Sequence, residues 1–283
     1  MTDQVPGHWQ RTRDDWITIL RSRGIRPARS MGQNFLVEPD IADAIVDASG
    51  VGAGETALEI GPGLGMLTRS LAETGASVVA VELDRELKAF LDRDLAAIPN
   101  VSVIEGDALK VDIASLVQGD YRVVANLPYS TGTHIVRRFL ESTHAPQTMT
   151  VMLQREVAER LVAEPPGMSL LTLARVIHAE AKVVLNVPPD AFWPEPNVES
   201  TVIHLRLRDV PLLNPGQVDA VFRLATMAFQ RKRKTIGNGL SQGLGQPKAE
   251  IEAVLDRVGI NPSLRPQNLE VHDWLAIAEG LAE

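Results

Sequence analysis

The stretch Glu59-Ile60-Gly61-Pro62-Gly63-Leu64-Gly65 decides the fold class of this 283-residue chain. A short apolar run, Thr56–Ile60, leads into it and a helical pattern, Met66–Thr74, follows it, which predicts a strand, a tight turn and a helix. Three glycines in five residues allow the backbone to turn sharply and to approach a ligand without Cβ atoms in the way. The stretch therefore predicts the ligand-binding loop of an α/β domain.

Apolar, β-rich runs alternate with helical stretches around this loop, up to about residue 160. Strands and helices that alternate at this spacing form βαβ crossovers, so a parallel sheet with helices on both faces is predicted. Lys182–Val187 and Thr201–Leu207 follow, and the second alternates apolar with polar residues, which predicts a hairpin-like antiparallel edge. The other predicted strands are Ser77–Glu82, Val101–Glu105, Tyr121–Ala125 and Thr148–Leu153, and the predicted helices include Asp40–Ser49, Met66–Thr74, Asp84–Ile98 and His134–Glu141.

The pattern changes after Arg208, where a segment rich in proline and loop-forming residues begins. Helical patterns without convincing strands follow this segment. We therefore predict an α/β domain with a basic N-terminal extension over residues 1–208 and a small all-helical domain over residues 209–283. The helices predicted in the second domain are Val218–Gln230, Lys248–Val258 and Asn268–Ala282.

Acidic residues stand at the ends of the next two predicted strands. Glu82 lies 21 residues after Gly61, where a carboxylate can accept hydrogen bonds from both ribose hydroxyls of an adenosine-bearing cofactor. Asp107 follows the third strand and can accept from an adenine amino group. NAD and S-adenosylmethionine both satisfy these features, but the glycine spacing differs from G-x-G-x-x-G and the Glu59 carboxylate would repel a diphosphate. The residues therefore favour the sulfonium cofactor.

The most specific motif is Asn126-Leu127-Pro128-Tyr129, which follows the fourth predicted strand, where open α/β sheets bind their ligands. The Asn126 side-chain oxygen and a backbone carbonyl of Leu127–Pro128 can accept both N–H bonds of an exocyclic adenine amine. Such acceptors favour a tetrahedral nitrogen that faces a methyl donor, and Tyr129 can stack on the base. No general base is required before the attack, because proton loss can follow methyl transfer. The motif predicts N6 methylation of adenine.

Composition narrows the possible classes of protein. The chain has no cysteine, which excludes disulfides, thiolate nucleophiles and cysteine-bound zinc. Its six histidines form no H-x-x-x-H pair, and neither a G-x-S-x-G elbow nor a P-loop occurs, so we expect no metal site, serine hydrolase or P-loop nucleotidase. No stretch approaches the roughly 18 apolar residues of a membrane span. We expect a cytoplasmic protein without a membrane partner.

The motifs in combination resemble the ribosomal RNA adenine dimethyltransferases over roughly residues 25 to 270. The chain is most similar to the small-subunit branch, the enzymes whose loss confers kasugamycin resistance, because it also shares the basic run at 231–234. The erythromycin-resistance methylases of the large subunit are similar to it in the first domain. The resemblance implies a Rossmann-like class I methyltransferase sheet, S-adenosylmethionine as cofactor, and a monomer. The motifs that carry it are Met31–Leu36, Glu59–Gly65, Glu82, Gly106–Ala108, Asn126–Tyr129, Gln154–Ala158, Val187–Val198 and Phe229–Leu240.

The resemblance also implies a substrate and a role for single residues. The substrate would be two adjacent adenosines in the 3′-terminal hairpin loop of 16S rRNA, within an assembling small subunit, each dimethylated at N6. Phe192 would stack on the base opposite Tyr129, with a core aromatic in a Pro-rich turn as the alternative interpretation. Asn126 would lie between the cofactor and the target amine. The predicted catalytic residues are Asn126, Pro128, Tyr129 and Phe192, and the predicted cofactor-binding residues are Asn34, Leu36, Gly61, Glu82, Asp107 and Asn126.

The net charge of −8 is unevenly distributed. Residues 9–31 carry +4 and residues 206–237 carry +5, which leaves −17 on the remainder. The first segment by itself is interpreted as a solvated helix, whereas the second precedes a helix, matches the family and is interpreted as a phosphate-binding surface. We therefore expect salt-sensitive binding of a shaped RNA substrate.

Several departures from the family pattern lie close to the expected substrate. Asn197 and Glu199 stand where the family usually has Lys and Asp, Ser130–Gly132 replaces an Asn-Ile-Ser-like run, and Pro165–Ser169 lacks a Tyr-Gly-Arg-like loop. They bear on substrate contacts and leave the Asn-Leu-Pro-Tyr motif intact. The alternative functions are a ribosome-assembly factor that acts mainly by binding, a 23S rRNA adenine dimethyltransferase of the erythromycin-resistance type and, more distantly, an NAD-linked dehydrogenase.

Overall fold

The computed structural model describes residues 11–22, 33–231 and 233–282. Met31 and Gly32 of the first family motif, three arginines of the first basic segment (Arg23, Arg26 and Arg29) and Lys232 of the second lie outside these ranges. Packing divides the chain into one unit of residues up to 158 and 181–207, and a second of 159–180 and 208–283. The second unit thus also takes in residues 159–180, which the predicted boundary at residue 208 assigns to the first domain. That functional division stays a prediction.

Seven of the nine strands in the described residues form one sheet, in the order β4-β3-β2-β5-β6-β9-β7. Strands β2 to β6 pair in parallel, and β9 runs antiparallel to β6. The predicted Rossmann-like sheet, mostly parallel with an antiparallel edge, is confirmed. The strands are β1 (Phe35–Leu36), β2 (Thr56–Ile60), β3 (Ser77–Glu82), β4 (Val101–Glu105), β5 (Arg122–Asn126), β6 (Thr148–Gln154), β7 (Ala179–Val187), β8 (Phe192–Trp193) and β9 (Ser200–Leu207).

Helices connect these strands and cover the apolar side chains of the sheet. The second helix packs against β5 and β6, and the fourth against β3 and β4. Asp84 caps the fourth helix, since its carboxylate accepts the backbone N–H groups of Glu86 at 2.8 Å and Leu87 at 3.3 Å. The helices up to residue 178 are α1 (Arg13–Ser22), α2 (Pro39–Ser49), α3 (Met66–Glu73), α4 (Arg85–Asp94), α5 (Ile113–Leu116), α6 (Gly132–Leu140), α7 (Arg155–Val162) and α8 (Leu170–His178).

The C-terminal residues form four further helices, one more than the patterns predicted. They are α9 (Pro215–Phe229), α10 (Ile236–Leu244), α11 (Lys248–Arg257) and α12 (Val271–Gly280). The helix without predicted bounds, α10, contains Gly237, Gly239 and Gly243, which lower its helix propensity. A Cβ at Gly243 would lie 2.8 Å from the Cβ of Met227, so the missing side chain lets α10 pack closely against α9. No described helix is long and apolar enough to cross a membrane.

Candidate active site

A cavity lies where β2, β3 and β5 reach their carboxyl ends. Its walls come from the glycine loop after β2, from the motif after β5 and from residues 33–36. Parallel strands bring these loops to one edge of the sheet, although they are far apart in the sequence. Seven predicted site residues line this cavity together, namely Asn34, Leu36, Gly61, Glu82, Asn126, Pro128 and Tyr129.

The glycine loop has a backbone that side chains would disturb. Gly61, Gly63 and Gly65 have φ angles of 68°, 59° and 80°, in the left-handed region that favours glycine. A Cβ at Gly63 would also lie 3.0 Å from Cδ1 of the Phe35 ring, which packs against the loop. The loop can therefore approach both Phe35 and a ligand closely.

Glu82 is held by backbone donors from two directions. Its Oε2 accepts the N–H of Gly63 at 3.2 Å, and its Oε1 accepts the N–H of Asp84 at 2.8 Å. Burial raises the pKa of this carboxyl, whereas the two N–H groups oppose the rise by stabilising the carboxylate. The orientation of the carboxylate is thus fixed before any ligand binds.

Glu59, the fourth residue of β2, is a buried acid beside the loop. Its Oε2 is buried and has no hydrogen-bond partner among the described residues. Burial raises the pKa of the Glu59 carboxyl to about 8; the Glu82 carboxylate adds to the rise and the Thr68 hydroxyl opposes it. Glu59 is therefore mostly neutral at pH 7, so the repulsion of a diphosphate expected from the sequence does not operate unless a nearby cation favours the charged form.

The Asn126–Tyr129 motif leaves β5 in a tight turn. The N–H of Leu127 donates to the Met152 carbonyl of β6 at 3.1 Å, which fixes the start of the turn. The Pro128 carbonyl accepts the N–H groups of Thr131 at 3.1 Å and Gly132 at 2.8 Å. The side chains of Asn126, Pro128 and Tyr129 remain partly exposed toward the cavity.

Gly132 is the last residue of one departure from the family pattern, Ser130–Gly132. It is the first residue of α6, and a Cβ there would lie 2.8 Å from Cδ2 of Leu153 and 3.4 Å from Cβ of Leu127. A larger residue at position 132 would therefore have to displace the tip of the Leu153 side chain.

Asp107 lies outside the cavity, beyond the end of β4. Its Oδ1 accepts the N–H of Leu109 at 2.9 Å, and its Oδ2 is 3.3 Å from Nζ of Lys110. The Leu109 N–H, followed by Lys110, keeps the pKa of this carboxyl below its ordinary value. Glu82 of β3 pairs with Glu105 of β4. Asp107, two residues after Glu105, therefore follows the strand that is adjacent to the strand of Glu82.

Phe192, like Asp107, is a predicted site residue that does not line the cavity. It is 1% exposed and belongs to the hydrophobic core. Its strand, β8, pairs with β1 to form a two-stranded ribbon in which Leu36 is the partner of Phe192. The N–H of Val37 also donates to the Ala191 carbonyl at 2.9 Å. Phe192 thus does not share the cavity with Tyr129 in this structure, and its stacking role stays a prediction.

Replacing Phe192 with alanine should lower the free energy of unfolding by about 3–5 kcal/mol, because a large buried ring is removed from the core. Phe192→Leu should cost less, since most of the apolar volume is kept. Guanidinium denaturation measures both changes. Leu83→Ala, at a side chain that is 57% exposed, is the control and should change stability by no more than about 0.5 kcal/mol. A Phe192→Ala loss as small as that of the control would contradict the core assignment.

Sequence reasoning missed several apolar residues of the cavity wall. Phe35 covers the glycine loop, and Met66 and Leu67 line the cavity from the start of α3. Gln33 also lines it, and its Nε2 lies 3.5 Å from Oδ2 of Asp84, the capping residue of α4. The family motif at 31–36 was the signal for Phe35 and Gln33, whereas nothing in the helical pattern marked Met66.

Glu199, another departure from the family pattern, neutralises a cation. Its Oε2 is 2.7 Å from Nη1 of Arg155, and its carbonyl accepts the N–H of Arg155 at 3.0 Å. Both side chains are exposed, so the pair contributes little stability. The described residues contain no group of three or more His, Asp or Glu side chains placed to hold a metal ion.

The fold and the site define a Rossmann-like methyltransferase. The family model described as ribosomal RNA adenine dimethylase matches residues 26–283. The chain belongs to this family, and the predicted resemblance and S-adenosylmethionine dependence are confirmed.

Two curated relatives and one solved structure illustrate the likeness. The chain is 40% identical to ribosomal RNA small subunit methyltransferase A of Moorella thermoacetica, over 94% of this chain and 96% of the relative. It is 39% identical to the protein of the same name from Alkaliphilus oremlandii, over 94% and 95%. The crystal structure of the 23S rRNA methyltransferase ErmE is 27% identical, with a TM-score of 0.70, over 88% of this chain and all of that one.

Proposed function

We propose that this chain transfers methyl groups from S-adenosylmethionine to N6 of two adjacent adenosines in the 3′-terminal hairpin loop of 16S rRNA, two to each base. The observation that carries the proposal is one cavity shared by Glu82, the glycine loop and the Asn126–Tyr129 motif. The acid that would bind the ribose and the acceptors that would bind the amine lie at one edge of the sheet. Membership of the rRNA adenine dimethylase family supports the reaction type.

The residues present fit the cofactor. The Glu82 carboxylate, already anchored by two N–H groups, would accept from the ribose hydroxyls, since each carboxylate oxygen accepts more than one bond. Gly61 would lie against the amino-acid portion, and the unpartnered Oε2 of Glu59 would accept from its ammonium group. When bound, the cofactor supplies an electrophilic methyl. Asn34 and Leu36 would close the cavity over it, and Asp107 would accept from the adenine amine at the rim.

Asn126 and the turn after it would orient the target amine. The Pro128 carbonyl accepts two N–H groups within the turn, which leaves the Leu127 carbonyl as the favoured backbone acceptor. Together with the Asn126 side-chain oxygen, it would bind both N6 hydrogens and direct the nitrogen lone pair into the cavity. Pro128 fixes the turn, and the Tyr129 ring would stack on the base. Catalysis then rests on positioning and on exclusion of water.

The small-subunit rRNA is the substrate class that the relatives favour. Curated relatives named small subunit methyltransferases are about 40% identical, whereas the 23S rRNA methyltransferase structure is 27% identical. Arg233 and Lys234 are exposed before α10, and no carboxylate forms an ion pair with them in the described part of the chain. Such cations bind phosphates and release counterions, which makes the affinity salt-dependent.

Mass mapping of rRNA tests the substrate. Small subunits that lack the modification are incubated with the enzyme and S-adenosylmethionine, and 16S rRNA fragments are weighed. We expect a gain of four methyl groups in the 3′-terminal hairpin loop and none in 23S rRNA of 50S subunits. Modification of 23S rRNA alone would assign the chain to the resistance-methylase type, and binding of small subunits without any methyl transfer would make it an assembly factor.

A proton should leave the protein when the cofactor binds at pH 7. Burial raises the pKa of Glu59 to about 8, and an ammonium group beside it would favour the carboxylate again. Calorimetry with S-adenosylhomocysteine, which carries the same ammonium group, in buffers of different ionisation enthalpy measures the release. We expect nearly one proton for the wild type and none for Glu59→Gln, and equal release by both variants would place the ammonium group elsewhere.

The same acid should make stability depend on pH. The pKa of Glu59 is raised in the folded state, so its stabilising contribution is complete below about pH 4.5 and is lost as the pH rises toward 8. Relative to Glu59→Gln, the wild-type free energy of unfolding should therefore fall by up to about 1.4 kcal/mol per pH unit in this window. Denaturation at pH 5, 6 and 7 measures the difference, and parallel curves for the two proteins would contradict it.

A further inference from the structure

The hydroxyl of Tyr129 forms a hydrogen bond with a residue that has no proposed contact with the cofactor or the base. Its Oη lies 2.7 Å from Oγ of Ser200. Ser200 is the first residue of β9, whereas Tyr129 follows β5, and β6 lies between these strands in the sheet. The hydrogen bond therefore ties the turn of the Asn-Leu-Pro-Tyr motif to a strand two places away.

Ser200 is a rigid attachment point. It is fully buried, and it pairs with Gln154 in the antiparallel ladder of β6 and β9. Directly beyond the ladder, the N–H of Arg155 donates to the Glu199 carbonyl at 3.0 Å, and the side chains of these two residues form an ion pair. The backbone that carries the Ser200 hydroxyl is thus fixed on both sides.

The ring of Tyr129, in contrast, is only partly buried and lines the cavity. Two side-chain torsions set the direction and the plane of a tyrosine ring, and a bond at the hydroxyl restricts both of them. A stacked base requires one ring plane at a defined height, since a shift of about 1 Å in a reacting group can lower a rate 100-fold. A phenylalanine would offer the same stacking surface without this restriction.

We propose that Ser200 is a positioning residue for methyl transfer: its hydroxyl fixes the ring plane of Tyr129 and thereby the place of the target amine. The inference rests on the proposed stacking role of Tyr129. Because the hydroxyls of Tyr129 and Ser200 act through one hydrogen bond, removal of either hydroxyl should have the same effect on the rate as removal of both.

The test compares Ser200→Ala, Tyr129→Phe and the double variant in single-turnover methylation of undermethylated small subunits. We expect each single variant to be about tenfold slower at saturating cofactor and RNA, and the double variant to be no slower than either. The affinity for S-adenosylhomocysteine should stay within about twofold. Tyr129→Phe removes the same hydrogen bond at a partly exposed position, so it decides the question even if Ser200→Ala does not fold.

Thr201→Val is the matched control, because Thr201 is the next residue of β9 and its buried hydroxyl donates to Oδ1 of Asn186 at 2.9 Å. Its rate should match the wild type. Ring-labelled tyrosine adds a direct readout, since the chain has only two tyrosines. In Ser200→Ala, the NMR signals of the Tyr129 ring should broaden or shift while those of Tyr121 stay unchanged.

Wild-type rates in both single variants, or equal losses in Thr201→Val, would overturn the positioning role. Tyr129→Ala separates this failure from a failure of the proposed function. If Tyr129→Ala is strongly impaired while Ser200→Ala and Tyr129→Phe are not, only the role of Ser200 is wrong. If Tyr129→Ala methylates at the wild-type rate, the stacking role itself is wrong.

Discussion

An Asn126→Ala enzyme should methylate undermethylated small subunits with a kcat about 10² to 10³ lower than the wild type. In the proposed reaction, the side-chain oxygen at this position would be a preorganised acceptor for charge that develops on the amine, and loss of one such group typically has an effect of this size. Asn126 ends β5 and lines the cavity beside the turn, so alanine removes the acceptor and leaves the strand in place.

The affinity for the cofactor distinguishes a lower kcat that results from the missing acceptor from one that results from an unfolded site. Binding of S-adenosylhomocysteine to Asn126→Ala should weaken by less than about tenfold, because Glu82 and the glycine loop remain. The melting temperature should stay close to that of the wild type, since the Asn126 side chain is only partly buried. A wild-type rate in Asn126→Ala would remove this residue from the chemistry and require another acceptor for the amine.

A Glu82→Ala enzyme should bind S-adenosylhomocysteine about 10² to 10⁴ times more weakly. Two hydrogen bonds to a charged acceptor contribute about 1.5–3 kcal/mol each, and each 1.4 kcal/mol is a factor of ten in affinity. Part of the loss in affinity comes from a less ordered glycine loop, because the N–H groups of Gly63 and Asp84 lose the carboxylate that accepts them. Isothermal titration measures the affinity directly.

Glu105 provides the matched control. It is the partner of Glu82 across β3 and β4, but it is exposed and its Oε1 pairs with Nε of Arg85 at 2.7 Å. Glu105→Ala should leave the affinity for S-adenosylhomocysteine unchanged, since exposed ion pairs contribute little. Equal affinities of Glu82→Ala and the wild type would show that the ribose is bound elsewhere.

Strand positions were largely predictable because the parallel strands are short, apolar and separated by helices. The boundaries of β2, β3 and β4 agree with the prediction, and β5 is displaced by one residue, at Arg122–Asn126. The meeting of the glycine loop, Glu82 and Asn126 then follows from topology, since parallel strands present their carboxyl ends on one side.

The elements that escaped prediction depend on contacts between distant segments. Strands β1 and β8 have two residues each, and only their mutual pairing makes them strands. The burial of Phe192 in the core agrees with the alternative interpretation of this residue, and the Pro-rich run around it does not decide between the two interpretations. The protonation of Glu59 was equally hidden, because the sequence shows a carboxyl group and only the packing around it raises the pKa to about 8.

The β1–β8 ribbon joins the wall of the cavity to the hydrophobic core. Leu36 lines the cavity, and its strand partner Phe192 is buried in the core. A ligand that orders the ribbon therefore also orders part of the core. Since a ligand that binds only the folded state stabilises that state, occupancy of the cavity and stability of the core around Phe192 should rise together.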